Sequence, residues 1–382
     1  MKDLNDNLDE FEQGPIRPPN EAFSLLVRVT RNCPWNRCTF CPVYKGTQFS
    51  LRAVADVKID ITAMAHLAKR IAPLMGPEGE VTKPLLQLLR DEARNEAVQV
   101  VRFLAAGGET AFLQDANSLI MPVTELVEVL THLRKTLPAI RRVTTYARAH
   151  TVTKRSLAEL TQIRMAGLDR IHIGLESGAN EVLALMAKGA TAERHIAAGQ
   201  AAKEAGLELS EYVMPGLGGR TLSEQHATET ARVLRTIDPH FIRLRTLAIA
   251  QGSPLAGQRD RGDFEPLDDV EVVRELRTMV AGFTGMTSAV TSDHALNLLE
   301  EIEGQLPEDL PKMVAALDRF LDLEPQDQDL FIIGRRFGLL RRLGDLDDPA
   351  AHQRAEITLA QFQQRMPGPV ASVIREAMTR LV

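Results

Sequence analysis

Hydrophobic positions along residues 22–255 switch repeatedly between a two-residue and a 3.6-residue period. Residues 24–30, Ser-Leu-Leu-Val-Arg-Val-Thr, form a short β-branched-rich run that predicts a strand. Apolar residues at helical spacing then predict helices over 56–75 and 81–97, and a second strand over 98–104. The alternation continues with helix 123–137, strand 142–148, helix 154–166, strand 170–175, helices within 179–205, strand 207–214, helix 223–236 and strand 241–249. Strands separated by helices imply a parallel sheet, either doubly wound or barrel-like.

The character changes beyond residue 255. A polar link at 257–266 precedes helices expected over 268–283, 310–323, 329–343, 350–365 and 370–381. Between the first two lies the Ser/Thr-rich stretch 286–297, ending in Asp293-His294. Two readings stand here. In the preferred one Asp293 is the N-cap of a helix running toward 303. In the other an added strand delivers His294 to the mouth of the sheet as a proton donor or substrate contact, and His294 enters as a catalytic candidate on that ground. The chain thus divides into an N-terminal extension (1–21), a core (22–255) and a helical C-terminal domain (256–382) that could cover a substrate.

Composition narrows the function classes. Forty-five basic and fifty-one acidic side chains give a net charge of −6, which argues against broad contact with a nucleic-acid backbone. No run approaches the ~18 apolar residues of a membrane span, and the acidic start of the chain does not read as a secretory signal. Three cysteines cannot build a disulfide framework, so the expected compartment is the cytoplasm.

All three cysteines, Cys33, Cys38 and Cys41, fall within nine residues, in Arg31-Asn-Cys-Pro-Trp-Asn-Arg-Cys-Thr-Phe-Cys-Pro-Val. Their polar neighbours argue against a buried core segment. A structural zinc would need a fourth ligand, and the closest histidine in sequence is His66. Three thiolates would leave one iron of a four-iron cluster without a protein ligand, whereas electron-transfer ferredoxins use four cysteines per cluster.

The loop resembles the cluster loop of the radical S-adenosylmethionine (radical SAM) superfamily, whose usual spacing is C-x3-C-x2-C with an aromatic residue before the last cysteine. Phe40 fills the aromatic position, and Cys38-x2-Cys41 matches; the first gap has four residues rather than three. Segment Ile173-Gly-Leu-Glu-Ser-Gly178 is similar to the fourth-strand motif of the branch that holds oxygen-independent coproporphyrinogen oxidases and the elongator catalytic subunit. The resemblance implies a partial (β/α)6 TIM-like parallel barrel of α/β class with a mostly helical C-terminal domain, its chemistry on the loops after the strands.

It also implies site residues. Cys33, Cys38 and Cys41 would hold a [4Fe-4S] cluster whose open iron chelates S-adenosylmethionine. Gly107-Gly108-Glu109, placed after the second strand, would bind the methionyl amino group; a Gly-Gly turn is otherwise common punctuation. Arg148 would counter the methionyl carboxylate, or else pair with Glu176. Glu176 and Ser177 would face the ribose or methionyl end, with Ser177 also able to cap a helix. Gly216 lies in the glycine-rich turn Pro215-Gly-Leu-Gly-Gly219, and Leu247 on the strand whose backbone edge meets the adenine. The implied activity is reductive cleavage of S-adenosylmethionine to a 5′-deoxyadenosyl radical that abstracts hydrogen from a small-molecule substrate. An electron donor such as flavodoxin or ferredoxin would be the partner, with nucleic acid not expected. The alternative is a non-catalytic iron–sulfur or haem-binding chaperone, or a redox sensor, on the same fold.

Overall fold

The structure, a computed structural model, describes residues 9–92, 95–365, 370 and 374. The chain is an α/β protein with a mostly parallel central sheet flanked by helices. Its strands are β1 (Leu25–Arg28), β2 (Thr110–Gln114), β3 (Arg142–Ala147), β4 (Arg170–Glu176), β5 (Glu208–Val213), β6 (Phe241–Leu244), β7 (Ala289–Thr291) and β8 (Gly304–Gln305), and sheet order follows chain order. Two compact units are distinguishable: Met1–Asn36, Val43–Ile173 and Ala201–Leu209 form one, and Arg37–Pro42, Gly174–Gln200 and Ser210–Val382 form the other.

In the first unit β1 runs parallel to β2, with Leu25 opposite Ala111 and Arg28 opposite Gln114; β2 pairs with β3 and β3 with the start of β4 in the same sense. Leu25, Leu26, Val27, Phe112 and Leu113 are buried, as are Ile61, Met64 and Leu67 on the helix Val54–Ile71, which packs on the helix Val123–Thr136. Strands covered in this way read as near-continuous apolar runs. A two-residue antiparallel pair, Thr30–Arg31 with Ser50–Leu51, closes the neck of the cysteine loop.

The N-terminal extension is held against this unit. The Gly14 amide donates to Gln114 Oε1 at 2.9 Å, and Gln114 Nε2 donates to the Ile16 carbonyl at 2.5 Å. Farther along, Asn20 Nδ2 lies 3.0 Å from His172 Nε2, and Glu21 Oε1 lies 3.5 Å from the same nitrogen. His172 is a fully buried interior residue whose Nε2 faces Asn20 and Glu21.

The expected second strand is the main correction. Residues 98–104 belong to the helix Asn95–Ala105, which buries Ala97, Val100, Val101 and Phe103 and exposes Val98. The apolar run is therefore one face of a helix, with a 3–4 residue spacing that a short window mistakes for a strand. Gly107 and Gly108 end that helix with φ of 92° and 69°, and the Gly108 amide donates to the Phe103 carbonyl at 3.0 Å. This is a glycine C-cap in the left-handed region. The true second strand begins at Thr110.

In the second unit β5 pairs with β6 and β6 with β7, all parallel, while β8 closes antiparallel on β7. Stretch 286–297 therefore supplies an added strand, and the helix expected from Asp293 toward 303 does not form; turns occupy that span. The helix expected over 329–343 starts and ends earlier, at Pro325–Arg336. That expected over 370–381 lies, apart from residues 370 and 374, outside the described residues.

A buried polar network ties the ends of β4 and β5 to two helices. Ser177 Oγ donates to His226 Nδ1 at 2.8 Å, and His226 Nε2 donates to the Met214 carbonyl at 3.1 Å. Glu275 accepts from the Gly216 amide and from Ser223 Oγ, both at 2.6 Å. Burial pushes Glu275 up to about 7 despite those two donors. Burial likewise lowers His226 to about 4.

A carboxyl raised in the folded state contributes stability below its unfolded value near 4.5, and loses it as pH climbs through 7. His226, depressed, works the other way and loses its contribution as pH falls from 6.5 toward 4. We expect the unfolding free energy of wild type, relative to Glu275→Gln, to fall by on the order of 3 kcal/mol between pH 5 and 8. Urea unfolding followed by circular dichroism at several pH values measures it, and a flat difference would contradict the assignment.

Candidate functional site

The first half of the cysteine loop leaves the end of β1 through residues that fix its direction. Arg28 donates from Nε and Nη2 to Asp115 Oδ2 at 3.0 and 2.8 Å, and its Nη1 reaches Glu12 at 2.9 Å. The same Asp115 oxygen accepts the Asn32 backbone amide at 2.8 Å. Asp115 is fully buried. Desolvation pushes its carboxyl above the ordinary range, although the Asn32 amide and Arg28 pull it back. Glu12 gathers Arg31 and Arg52 as well as Arg28; burial alone would raise its carboxyl, but these cations hold it low.

Two asparagines in left-handed backbone bracket Cys33: Asn32 at φ 67° and Asn36 at φ 48°. Asparagine tolerates this region because its side chain can bond locally. Here Asn32 Nδ2 donates to the Gln48 carbonyl at 2.6 Å and Asn36 Nδ2 to the Tyr44 carbonyl at 2.5 Å. The Asn36 amide donates to Cys33 Sγ at 3.4 Å. Arg148 stacks over the Trp35 ring at 4.9 Å.

The end of β2 was not legible to sequence reasoning, which had placed that strand too early. Gln114, Asp115 and Asn117 are all buried there. Asn117 donates to Thr151 Oγ1 at 2.7 Å and accepts the Arg148 amide at 3.2 Å. The signal was present: Thr-Ala-Phe-Leu followed by the polar run Gln-Asp-Ala-Asn. Gly107, Gly108 and Glu109 instead precede β2, at the opposite end from the cysteine loop. The Glu109 carbonyl accepts the Arg141 amide at 2.7 Å, and its side chain forms an exposed ion pair with Arg141 at 3.2 Å. The expectation that these three follow the second strand is corrected accordingly.

In the second unit, residues 37–42 carry Cys38 and Cys41. The Thr39 amide donates to the Met186 carbonyl, and its own carbonyl accepts the Leu255 amide, both at 3.0 Å. Phe40 packs on the apolar cluster of Ala179, Val182, Met186, Leu217, Ile249 and Leu255. Lys188 Nζ lies 5.9 Å over the Phe40 ring and 2.8 Å from Glu176 Oε1. The pairing of Glu176 is therefore with Lys188, while the stacking partner of Arg148 is Trp35. Glu176 stands at φ 61°, where the sheet strand breaks into its loop.

Ser177 is fully enclosed, bonded to His226 and to the Ala179 amide at 3.0 Å; the N-cap of the helix Asn180–Leu185 is Ala179, not Ser177. Gly216 needs its glycine, at φ 87°, and the Leu247 amide donates to the Pro215 carbonyl at 2.9 Å beside it. Glu211 on β5 is an unanticipated neighbour: it is fully buried, and desolvation, then the Glu176 charge, drive its carboxyl well above the ordinary range.

His294 lies three residues beyond the end of β7 and is partly buried. Burial and the adjacent Arg245 lower its imidazole to about 4, so it is neutral near pH 7. Asp293 is a charge partner of Arg243 and Arg245, not a helix cap.

No disulfide joins Cys33, Cys38 and Cys41, and each is partly exposed. Among the described residues, no group of three His, Cys, Asp or Glu side chains is already gathered around a metal position. The donor chemistry nevertheless fits an iron–sulfur cluster: three unbridged thiols, polar surroundings, and a backbone amide already aimed at one sulfur. Among those residues no helix is long and apolar enough to cross a membrane.

The model of the radical SAM superfamily matches residues 27–231. Two curated relatives are tRNA uridine(34) acetyltransferases. That of Methanocaldococcus infernus is 28% identical over 117 residues, covering 30% of this chain and 22% of the relative. That of Methanocaldococcus jannaschii is 26% identical over 117 residues, 30% of this chain and 21% of the relative. The match thus spans about a fifth of the length of these relatives. Among solved structures, coproporphyrinogen III oxidase (HemN) from Escherichia coli is 16% identical with a TM-score of 0.46, covering 68% of this chain and 52% of that one. N-terminally truncated Elp3 of Methanocaldococcus infernus is 18% identical with a TM-score of 0.41, covering 56% of this chain and 55% of that one.

Proposed function

We propose that this chain, which belongs to the radical SAM superfamily, is an enzyme that holds the superfamily's [4Fe-4S] cluster on Cys33, Cys38 and Cys41 and acts on a small anionic metabolite. When bound, the cluster supplies the electron for reductive cleavage of S-adenosylmethionine to the 5′-deoxyadenosyl radical, which takes a hydrogen atom from the substrate. The observation that carries the reading is the loop itself: three cysteines within nine residues and outside any disulfide, in a segment held by hydrogen bonds at Asn32, Asn36 and Thr39.

The protein's own residues orient and exclude water, since the cofactor brings the hard chemistry. Asn36 donates its backbone amide to Cys33 Sγ, which orients that sulfur within the loop. Phe40 shields the loop on its apolar side. Glu176, with Lys188, offers a charged pair for the polar end of S-adenosylmethionine, and Gly216 and Leu247 offer backbone edges for its adenosine. Arg148, stacked on Trp35, would face the methionyl carboxylate. His294 would contact substrate as a neutral imidazole. We assign residues 256–382 the covering of the substrate. A tRNA substrate is the second reading, favoured by the curated relatives named above; the enclosed arginines described below favour the smaller ligand.

Anaerobic reconstitution followed by iron, sulfide and S-adenosylmethionine-cleavage assays tests this. Cys38→Ala should bind little iron and cleave no S-adenosylmethionine. Glu109→Ala should match wild type in both, because Glu109 sits at the far end of β2. A colourless, iron-poor wild-type preparation would end the proposal.

Asp115→Ala removes the acceptor for Asn32 and Arg28 together. It should lower the unfolding free energy by the ~1–3 kcal/mol typical of a buried donor left unmet, and reduce iron retention after gel filtration. Wild-type iron retention with lowered stability would show that Asp115 supports the fold but not the loop.

A further inference from the structure

The ends of β6 and β7 carry a cluster of charged groups withdrawn largely from solvent. Arg243 and Arg245 are 7% and 8% exposed, in a chain whose net charge is −6. Each lies over an aromatic ring, Arg243 at 5.7 Å from Phe241 and Arg245 at 5.1 Å from Tyr212. Asp293 is set between them: its Oδ1 accepts from Arg245 Nη1 at 2.6 Å and its Oδ2 from Arg243 Nη1 at 3.3 Å. Burial alone would raise Asp293, but the two guanidiniums hold it below the ordinary carboxylate range, so it is ionised at neutral pH.

Both Asp293 oxygens are thereby engaged, and Arg245 Nη1 also donates to the Leu244 carbonyl at 2.9 Å. Arg245 Nη2 is enclosed and meets no acceptor, and His294 Nδ1, one residue beyond Asp293, is likewise enclosed without a partner. Two unmet polar nitrogens of adjacent residues, one on a permanent cation, are what an absent oxyanion would satisfy. Arg335 and Arg336, on a neighbouring helix, have carboxylate partners in Glu300 and Asp269.

We propose that Arg245, with Arg243 and His294, receives an oxyanion of the substrate, a carboxylate or phosphate group on a small molecule. The burial of both arginines favours a compact ligand over a nucleic-acid backbone, which meets exposed cations. This deepens the small-metabolite reading above and rests on it, but anion binding itself can be read without turnover.

The test uses full-length reconstituted protein with 15N-labelled arginine side chains, titrated anaerobically with sodium phosphate and separately with sodium acetate, against sodium chloride at matched ionic strength. A saturable shift of arginine Nε resonances by either anion is expected, with phosphate or acetate preference identifying the group. Arg245→Gln should weaken that response about tenfold or more, and His294→Ala, at a less buried position, severalfold. Circular dichroism establishes that each variant is folded.

No saturable response to either anion, or an undiminished response in folded Arg245→Gln and His294→Ala, would overturn the proposal. So would full displacement of the response by S-adenosylmethionine, which would give the site to the cofactor's own carboxylate. Cleavage of S-adenosylmethionine by the same wild-type preparation is measured in parallel. Cleavage without an anion response sinks this inference alone, whereas iron-loaded protein that never cleaves sinks the radical SAM reading.

Discussion

The cysteine loop takes its course from one buried carboxylate. Asp115, at the end of β2, accepts the amide of Asn32 and the guanidinium of Arg28 on a single oxygen. A carboxylate with no exposure would ordinarily be expelled or protonated; it persists only where hydrogen-bonded cations and amides offset its lost hydration. That requirement couples three things that chain separation would leave independent: the end of β1, the end of β2 and the residue before Cys33. A cluster ligand gains little from a thiol on a loose tether, because ordering the loop would then draw on the binding free energy. The left-handed turns at Asn32 and Asn36 are the local expression of the same constraint.

Much of the fold was readable because its strands are short, apolar and bracketed by polar turns. β3, β4 and β5 fall within a residue or two of their expected limits, since buried parallel strands leave near-continuous apolar runs. β6 is shorter than expected: beyond Leu244 the Arg245 and Leu247 amides still reach the Val213 and Pro215 carbonyls at 2.9 Å, but the Thr246 amide donates to the Asn297 side chain at 3.0 Å. The second strand failed for a physical reason. Val98, Val100, Val101 and Phe103 carry strand propensity, yet three of them share the buried face of a helix, and tertiary burial overrides propensity. That one misplacement carried Gly107-Gly108-Glu109 to the wrong end of the sheet and hid Asp115. A motif is only as good as the element that presents it.

The cysteines and Phe40 were legible because all of them fall within nine residues of sequence. Arg243, Arg245 and Asp293 were not, because their relation depends on β6 and β7 lying side by side, with Arg243 opposite Thr291. No window of sequence contains both strands. The Ser/Thr-rich stretch around Val290 was ambiguous between turn and strand for the same reason. Its pairing partner, and hence its identity, is supplied by a segment nearly fifty residues earlier.

Net charge is a poor guide to what such a site recognises. An overall charge of −6 lowers the expectation of broad nucleic-acid contact, but says nothing about a pair of arginines withdrawn from solvent. Burial strengthens a guanidinium's pull on an oxyanion, because less water competes and the effective dielectric is lower. It also sharpens selectivity, since a neutral ligand would leave the enclosed Arg245 nitrogen unmet, at a cost that an exposed arginine would not incur. Stacking on Tyr212 and Phe241 fixes the guanidinium planes before any ligand arrives, which limits the ordering that binding must impose. Radical chemistry makes that rigidity useful. A carbon-centred radical abstracts whichever hydrogen lies within reach, so regioselectivity falls to the groups that hold the substrate still.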